Sequence, residues 1–166
     1  MHDFCADLPS DLSLTRASLE DVPHIKAIVT AAYSKYIERI GKPPAPMTAN
    51  YNQLLESHDI FVLRTHNEQA TNKIVGSIVL GVAPDDDSVK INNLVVDPEA
   101  QGKGYGRILM NFAQYFAKQE GRAALTLFTN IKMYENLTLY EKMGFEVTGK
   151  RTEDGFERVY FRRLLP

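Results

Sequence analysis

The sequence predicts an α/β chain of the α+β kind, with a mixed, mostly antiparallel central sheet of about seven strands and helices on both faces. Three observations carry that prediction. Apolar spacing switches along the chain from steps of three and four to alternation and back. Three strand-like segments follow one another without an intervening helix, as antiparallel neighbours do. A glycine-rich turn then opens a helix that leads to another apolar strand, which is the pattern of a β–α–β crossover and hence of a parallel pair.

Taken in order, residues 1–11 are polar, contain Pro9 and read as a flexible tail, which leaves 12–166 as a single domain without a linker. Residues 12–16 alternate apolar and polar and form a first strand. Ser18 precedes Val22, Ile25, Val29, Ala32, Tyr33, Tyr36, Ile37 and Ile40 at helical steps, with Pro23 confined to the first turn. Gly41 and the prolines at 43, 44 and 46 stop this helix, and a second short helix is expected over 47–57. Segments 60–65, 74–82 and 89–96 read as strands, the last two joined by the turn-forming Pro84-Asp85-Asp86-Asp87-Ser88. Helical spacing returns over 104–119 and ends at Gly121; 123–129 is a short apolar strand. A helix over 134–143 ends at Gly144, a strand starts at 145–148, and Asp154-Gly155 predicts a hairpin turn into a last strand at 156–163.

Composition excludes several classes. The 166 residues carry 19 basic and 21 acidic side chains, a net charge of −2 with the cations scattered, which gives no reason to expect nucleic acid. Cys5 is the only cysteine, so neither an intrachain disulfide nor a cysteine-rich zinc module can form. His2, His24, His58 and His66 show no metal-ligand spacing, and no metal is expected. No apolar run approaches the ~18 residues that span a bilayer, and the acidic N-terminus lacks the features of a secretory leader. The expectation is a cytoplasmic protein without membrane partners.

The stretch that carries chemistry is Gln101-Gly102-Lys103-Gly104-Tyr105-Gly106-Arg107, where a buried strand runs through a turn into an amphipathic helix. Three glycines in five positions let consecutive backbone N–H groups approach an anion. The helix start adds roughly half a positive charge. Lys103 and Arg107, one helical turn apart, add two full charges. Together they form a diphosphate cradle. A dinucleotide fingerprint fails on spacing, because Arg107 stands where the third glycine belongs. A nucleoside-triphosphate loop fails as well, since no Gly-Lys here is followed by Ser or Thr.

The hexapeptide 101–106, preceded by Leu94-Val95-Val96-Asp97-Pro98, resembles motif A of the GNAT superfamily of N-acetyltransferases, whose core is Gln/Arg-x-x-Gly-x-Gly/Ala. Downstream, Leu139-Tyr140-Glu141-Lys142-Met143-Gly144-Phe145 resembles the helix-to-strand signature of the same family. The resemblance implies the GNAT fold, acetyl-CoA as cosubstrate and a primary amine as acceptor. It implies that Leu94-Val95-Val96 takes the pantetheine arm like an added strand, through main-chain groups of Leu94 and Val96, with the Leu94 N–H donating to the thioester oxygen. It places the diphosphate on Gln101 through Arg107 and makes Tyr140 the general acid for the departing thiolate. The asparagine that many members carry seven residues before this tyrosine is Met133 here, so Asn136 and Asn130 stand as candidates for that cofactor contact.

The general base stays open. Many members carry a glutamate where this chain has Lys90, and the neighbouring Asn92 and Asn93 serve either a water chain or a bulged strand. Tyr33 and Tyr36, placed where the family builds its acceptor wall, also continue the apolar stripe of their helix. With Cys5 in the tail, direct attack in a ternary complex is expected rather than a covalent enzyme intermediate. A non-catalytic acyl-CoA sensor and a nucleotide-binding module are the alternative functions, and a homodimer is an open possibility that the resemblance brings.

Overall fold

The computed structural model describes residues 4–66 and 72–166; Met1, His2 and Asp3 of the expected tail lie outside the described residues. Its strands are β1 (Leu12–Arg16), β2 (Asp59–His66), β3 (Asn72–Val82), β4 (Ser88–Val96), β5 (Ala124–Asn130), β6 (Glu146–Glu153) and β7 (Phe156–Leu164). They form a seven-stranded sheet in the order β1-β2-β3-β4-β5-β7-β6. Only β4 and β5 run parallel, joined by the helix α5 (Tyr105–Gln119) as the crossover pattern predicts. The helices α1 (Val22–Tyr33), α2 (Lys35–Ile40), α3 (Ala45–Thr48) and α4 (Tyr51–Ser57) precede β2, and α6 (Tyr134–Lys142) links β5 to β6.

Strand alternation gives the sheet two apolar faces. Phe61, Leu63, Ile78, Leu80, Val89, Ile91, Leu125 and Leu127 meet α5 through Leu109, Phe112, Ala113 and Phe116. Ile60, Val62, Val79 and Val95 meet α1 and α4 through Ile25, Val29, Tyr33 and Tyr51. Phe4 lays its ring on Phe112 and Tyr115 at centroid distances of 5.4 and 5.7 Å. No helix of the described residues is long and apolar enough to cross a membrane.

One irregularity positions the site. Ile91 pairs with Leu80 and Asn93 with Val79, so Asn92 has no partner across β3. The extra residue inverts side-chain parity. Val89 and Ile91 point to α5 before it; Leu94 and Val96 do so after it, while Val95 turns to α1. At the same point β4 and β5 part company, because their pairing ends at Ile91 and Leu127.

The helix expected over 22–40 is broken at Ser34. Its hydroxyl donates to the Thr30 carbonyl, a local bond that competes with the helical ladder, and Ile37 N–H turns to Ser34 O in a tighter turn. The expected second helix is likewise divided, because Asn50 caps α4 by accepting from the Gln53 N–H at 3.2 Å. The strand at 145–148 extends to Glu153, and Asp154 and Gly155 make the hairpin with φ of +55° and +77°.

Gly76 decides how closely α5 sits on the sheet. A Cβ there would lie 3.0 Å from Leu109 Cδ1 and 3.1 Å from the Val95 carbonyl oxygen. β3 is paired on both sides and cannot retreat. Gly76→Ala is therefore expected to destabilise the fold by about 1–3 kcal/mol, read as a lower urea midpoint. A midpoint equal to that of the parent would show that α5 yields instead.

Candidate active site

At the end of β4, Asp97 caps a single 3-10 turn over Pro98–Ala100 by accepting from the Glu99 N–H at 3.0 Å. The chain then passes through Gly102 and Gly104, whose φ values of +83° and +82° are left-handed and strained for any residue with a side chain. A Cβ at either position would meet nothing within 4 Å, so the space over the turn is open. The first helical bond of α5 runs from Ile108 N–H to Gly104 O at 3.1 Å. The N–H groups of Gly102 to Arg107 have no main-chain partner among the described residues. Lys103 and Arg107 extend into solvent beside them, Gln101 is exposed, and Tyr105 packs partly on the α5 core. The residues of the sequence-predicted cradle thus form one continuous run of N–H groups without a main-chain partner, beside the exposed Lys103 and Arg107.

Upstream, the Asp97 N–H donates to Val75 O at 2.8 Å. Antiparallel pairs alternate between bonded and unbonded. The Gly76–Val96 and Ile78–Leu94 pairs are consequently unbonded, and Leu94 and Val96 direct their main-chain groups away from β3, toward the side that β5 has vacated. Val95 differs from its neighbours. It pairs with Ser77 and buries its side chain against α1, leaving no main-chain group on the vacated side.

Between the parted strands lies a cavity of about 230 Å³. Leu94, Asn130, Asn136 and Tyr140 all border it, so these four sequence-predicted residues converge, whereas Gln101 to Arg107 lie at the far end of β4. Tyr140 packs on Phe145 and Phe161 at 5.9 and 5.8 Å between centroids. Burial, reinforced by the nearby Tyr36 phenol, pushes its pKa up to about 12. Asn130 holds the turn after β5 by accepting from the Lys132 N–H at 2.9 Å, and Asn136 donates to the Thr129 hydroxyl at 3.5 Å. Met133 is buried among the α1-side core residues, with its sulfur 3.8 Å from the Thr129 hydroxyl.

The two asparagines of the bulge hold opposite kinds of contact. Asn93 Oδ1 accepts from the Tyr33 hydroxyl at 2.8 Å, and Leu94 O accepts from the same hydroxyl at 3.3 Å. Tyr33 therefore serves both the core and the cavity wall, and burial raises its pKa well above the usual phenol value. Asn92 Nδ2 meets His58 Nε2 at 3.1 Å, while its Oδ1 is buried without a partner among the described residues. Lys90 lays its ammonium over the Phe128 ring at 4.7 Å, and burial together with Arg158 lowers its pKa.

Several cavity residues escaped sequence reasoning. Tyr51, whose hydroxyl donates to Pro46 O at 3.0 Å, comes from α4; Phe128, Phe156 and Arg158 come from β5 and β7. Nothing local marks Tyr51 or Phe128. Alternation does place Phe156 and Arg158 on the same side of the last strand, and a charged residue at such a position was the available signal. Among the described residues no group of three or more His, Cys, Asp or Glu side chains converges as a metal site would require.

The parted parallel strands, the glycine turn and the tyrosine at the rim define the class of an acyl-transfer fold. Comparison with known proteins agrees. Residues 56–147 match the sequence model of the family described as "Acetyltransferase (GNAT) domain", and the chain belongs to that family. Over 62 residues it is 34% identical to N-acetyltransferase family 8 member 3 of Rattus norvegicus, which covers 37% of this chain and only 27% of that protein. The chain therefore matches about a quarter of the length of this relative. Its fold is similar to that of the ribosomal-protein-S18-alanine N-acetyltransferase from Escherichia coli, with a TM-score of 0.71 and 22% identity over 93% of this chain and 94% of that one. It is similar also to a GNAT family acetyltransferase from Elizabethkingia anophelis with acetyl-CoA bound, with a TM-score of 0.70 and 20% identity over 95% and 100% of the two chains.

The buried phenols make stability sensitive to alkali. Burial favours their neutral form, raising Tyr51 and Tyr140 to about 12, in Tyr51 against the hydrogen bond offered by Asn93. Below about pH 10 both folded and unfolded chains keep these protons, and the term vanishes. As pH climbs from about 10 to about 12 only the unfolded chain releases them, so stability falls, by about 3 kcal/mol for each of the two phenols. Denaturation midpoints at about pH 9 and about pH 11 test this; equal midpoints would contradict it.

Proposed function

We propose that the protein transfers the acetyl group of acetyl-CoA to a primary amine of a small molecule or peptide, by direct attack with both substrates bound. The observation that carries this reading is the course of β4. It leaves β5 at Ile91 and leads into a turn whose N–H groups have no main-chain partner among the described residues. The open space over Gly102 and Gly104 suits a diphosphate, and the vacated side of Leu94 and Val96 suits the two amides of a pantetheine arm.

Acetyl-CoA brings the activated thioester. Gly102 to Arg107 hold its diphosphate through main-chain N–H groups, with Lys103 and Arg107 alongside. The Leu94 N–H supports the carbonyl oxygen as negative charge gathers there. Asn130 and Asn136 line the passage as polar contacts for the cosubstrate. Tyr140 keeps its proton at every working pH and offers it to the sulfur as the carbon–sulfur bond breaks. Complete transfer from a phenol at about 12 to a thiolate near ~8.5 would be uphill by about 5 kcal/mol. Tyr140 therefore acts by a strong hydrogen bond, the proton of the attacking amine finally neutralising the thiolate. No carboxylate borders the cavity. The amine consequently reacts as the fraction that arrives neutral.

That missing base also favours one competing reading, a protein that binds acyl-CoA without turning it over. Following free thiol while acetyl-CoA meets a panel of amines separates the two. Release with at least one amine supports the enzyme; tight binding with no release supports the sensor. The domain boundary at residue 12, a cytoplasmic location and pairing into a homodimer remain parts of this proposal.

Two substitutions test the parts. Gly104→Glu sets a carboxylate against the diphosphate and is expected to abolish CoA binding in calorimetry while the circular dichroism spectrum persists. Retained affinity would refute the cradle. Tyr140→Phe is expected to lower kcat by roughly 10²-fold or more with little change in CoA affinity. An unchanged kcat would remove Tyr140 from the reaction.

A further inference from the structure

Arg158 is the only ionised side chain among the residues that border the cavity, and its side chain is 9% exposed. A guanidinium withdrawn from water ordinarily satisfies its fork of donors with oxygen atoms. This one makes no hydrogen bond among the described residues. Its nearest carboxylates, Glu153 and Asp154, stand at 3.8 and 3.6 Å, beyond hydrogen-bond length, and Asp154 is largely in solvent. Glu153 is further engaged by the Tyr160 hydroxyl. The guanidinium instead lies over two rings, 4.3 Å from the centroid of Phe128 and 5.5 Å from that of Phe156.

Beyond Glu153 and Asp154, the charged neighbours of Arg158 are cationic. Lys90 is close enough that Arg158 depresses its pKa, and Arg151 faces Arg158 across the β6–β7 pair. A cationic acceptor such as a polyamine would meet like charge here, and among the described residues no carboxylate lines the cavity itself. An anion would meet a rigid, dry, two-pronged donor. The cavity of about 230 Å³ is below the ~300–1,000 Å³ of drug-sized sites, so the part of the acceptor that lies beside Arg158 is small.

We infer that the acceptor amine carries a carboxylate that Arg158 binds, as in an amino acid. This rests on the acetyl-transfer reading above and narrows its substrate class. Phe128, Phe156 and Arg158 then form the specificity-determining corner, and Tyr51 with the prolines after α2 forms the apolar wall for the acceptor's side chain.

The test compares leucine, leucinamide and 3-methylbutylamine as acceptors, with kcat/KM corrected for the free-amine fraction. Trileucine, whose carboxylate lies far from its amine, distinguishes a free amino acid from a peptide end. The expected result is a preference for leucine over its two neutral analogues of roughly 10- to 100-fold, expressed in KM. In Arg158→Gln the ratio of leucine to leucinamide collapses toward unity. Arg158→Lys keeps the charge opposite Glu153 and Asp154 and is expected to retain part of the preference. A better rate with trileucine than with leucine keeps the carboxylate and moves its source to a peptide. Equal rates for leucine and both neutral analogues would overturn the inference, as would an Arg158→Gln that slows all acceptors alike, the mark of a merely structural arginine. Should no acceptor release thiol, the acetyl-transfer reading fails by itself. Thermal shifts by leucine against leucinamide, in wild type and Arg158→Gln, then decide the carboxylate site separately: a leucine-specific shift lost in the variant upholds it, and equal shifts refute it.

Discussion

Asn92 is one residue more than β3 can match, and the shape of the molecule around its cavity follows from that surplus. Opposite it the ladder steps from Leu80–Ile91 to Val79–Asn93, and the strand changes direction where its pairing with β5 stops. Parting two central strands leaves main-chain donors and acceptors without neighbours, at roughly 1–3 kcal/mol for each one that is buried and unsatisfied. The fold contains that penalty by confining it. Val89 and Ile91 anchor the strand in the α5 core before the bulge, and Val95 anchors it in the α1 core after it. Tyr33 satisfies the Leu94 carbonyl from the helical layer. What stays unsatisfied is a short row of groups facing the gap, and a ligand shaped like a strand is the natural complement for it.

The electrostatics of the gap set how a proton can move there. Acyl transfer to an amine must shed a proton, and such sites commonly keep a carboxylate at hand. Here Lys90 stands on β4 where that carboxylate would be expected, and its ammonium rests over the Phe128 ring. The phenols around the cavity are all pushed upward by burial, so each remains a donor and none a base. On the proposed reading, a site built in this way favours an acceptor that sheds its proton before entering. Positive charge from Arg158 and Lys90 favours the same outcome, since it lowers the pKa of any amine nearby.

How far the sequence reveals all this depends on how local each feature is. The glycine turn was legible because its chemistry lies in consecutive residues, with two left-handed positions that glycine tolerates. Asp154-Gly155 was legible for the same reason. The helical break at Ser34 was not, because a single hydroxyl bonding back to Thr30 leaves the apolar period intact. The full length of β6 was hidden differently. It lies at the sheet edge with residues exposed along most of both faces, so it shows no alternation to read. Arg158 and Tyr51 meet only in three dimensions, brought together from β7 and α4, and no spacing rule reaches across that distance.

The glycine turn and the cavity are therefore built on different principles. On the proposed reading, the turn between residues 101 and 107 holds its ligand with main-chain N–H groups, which any sequence compatible with the backbone supplies. The cavity is assembled from side chains of distant segments, with a few polar links beside it. Arg39 forks onto Glu135 at 2.9 and 3.0 Å, and Lys42 donates to the Asp154 carbonyl at 3.2 Å while its ammonium covers the Phe156 ring at 4.1 Å. Gly155 is needed there for its left-handed φ; a Cβ would meet only the far end of the flexible Lys42 side chain, which can move aside. Exposed links of this sort contribute little to global stability, but they fix where the prolines after α2 and the Asp154-Gly155 hairpin meet. On the proposed reading, change in those two segments would reshape the acceptor wall without touching the main-chain N–H groups of the glycine turn, so acceptor choice can drift while cosubstrate binding stays as it is.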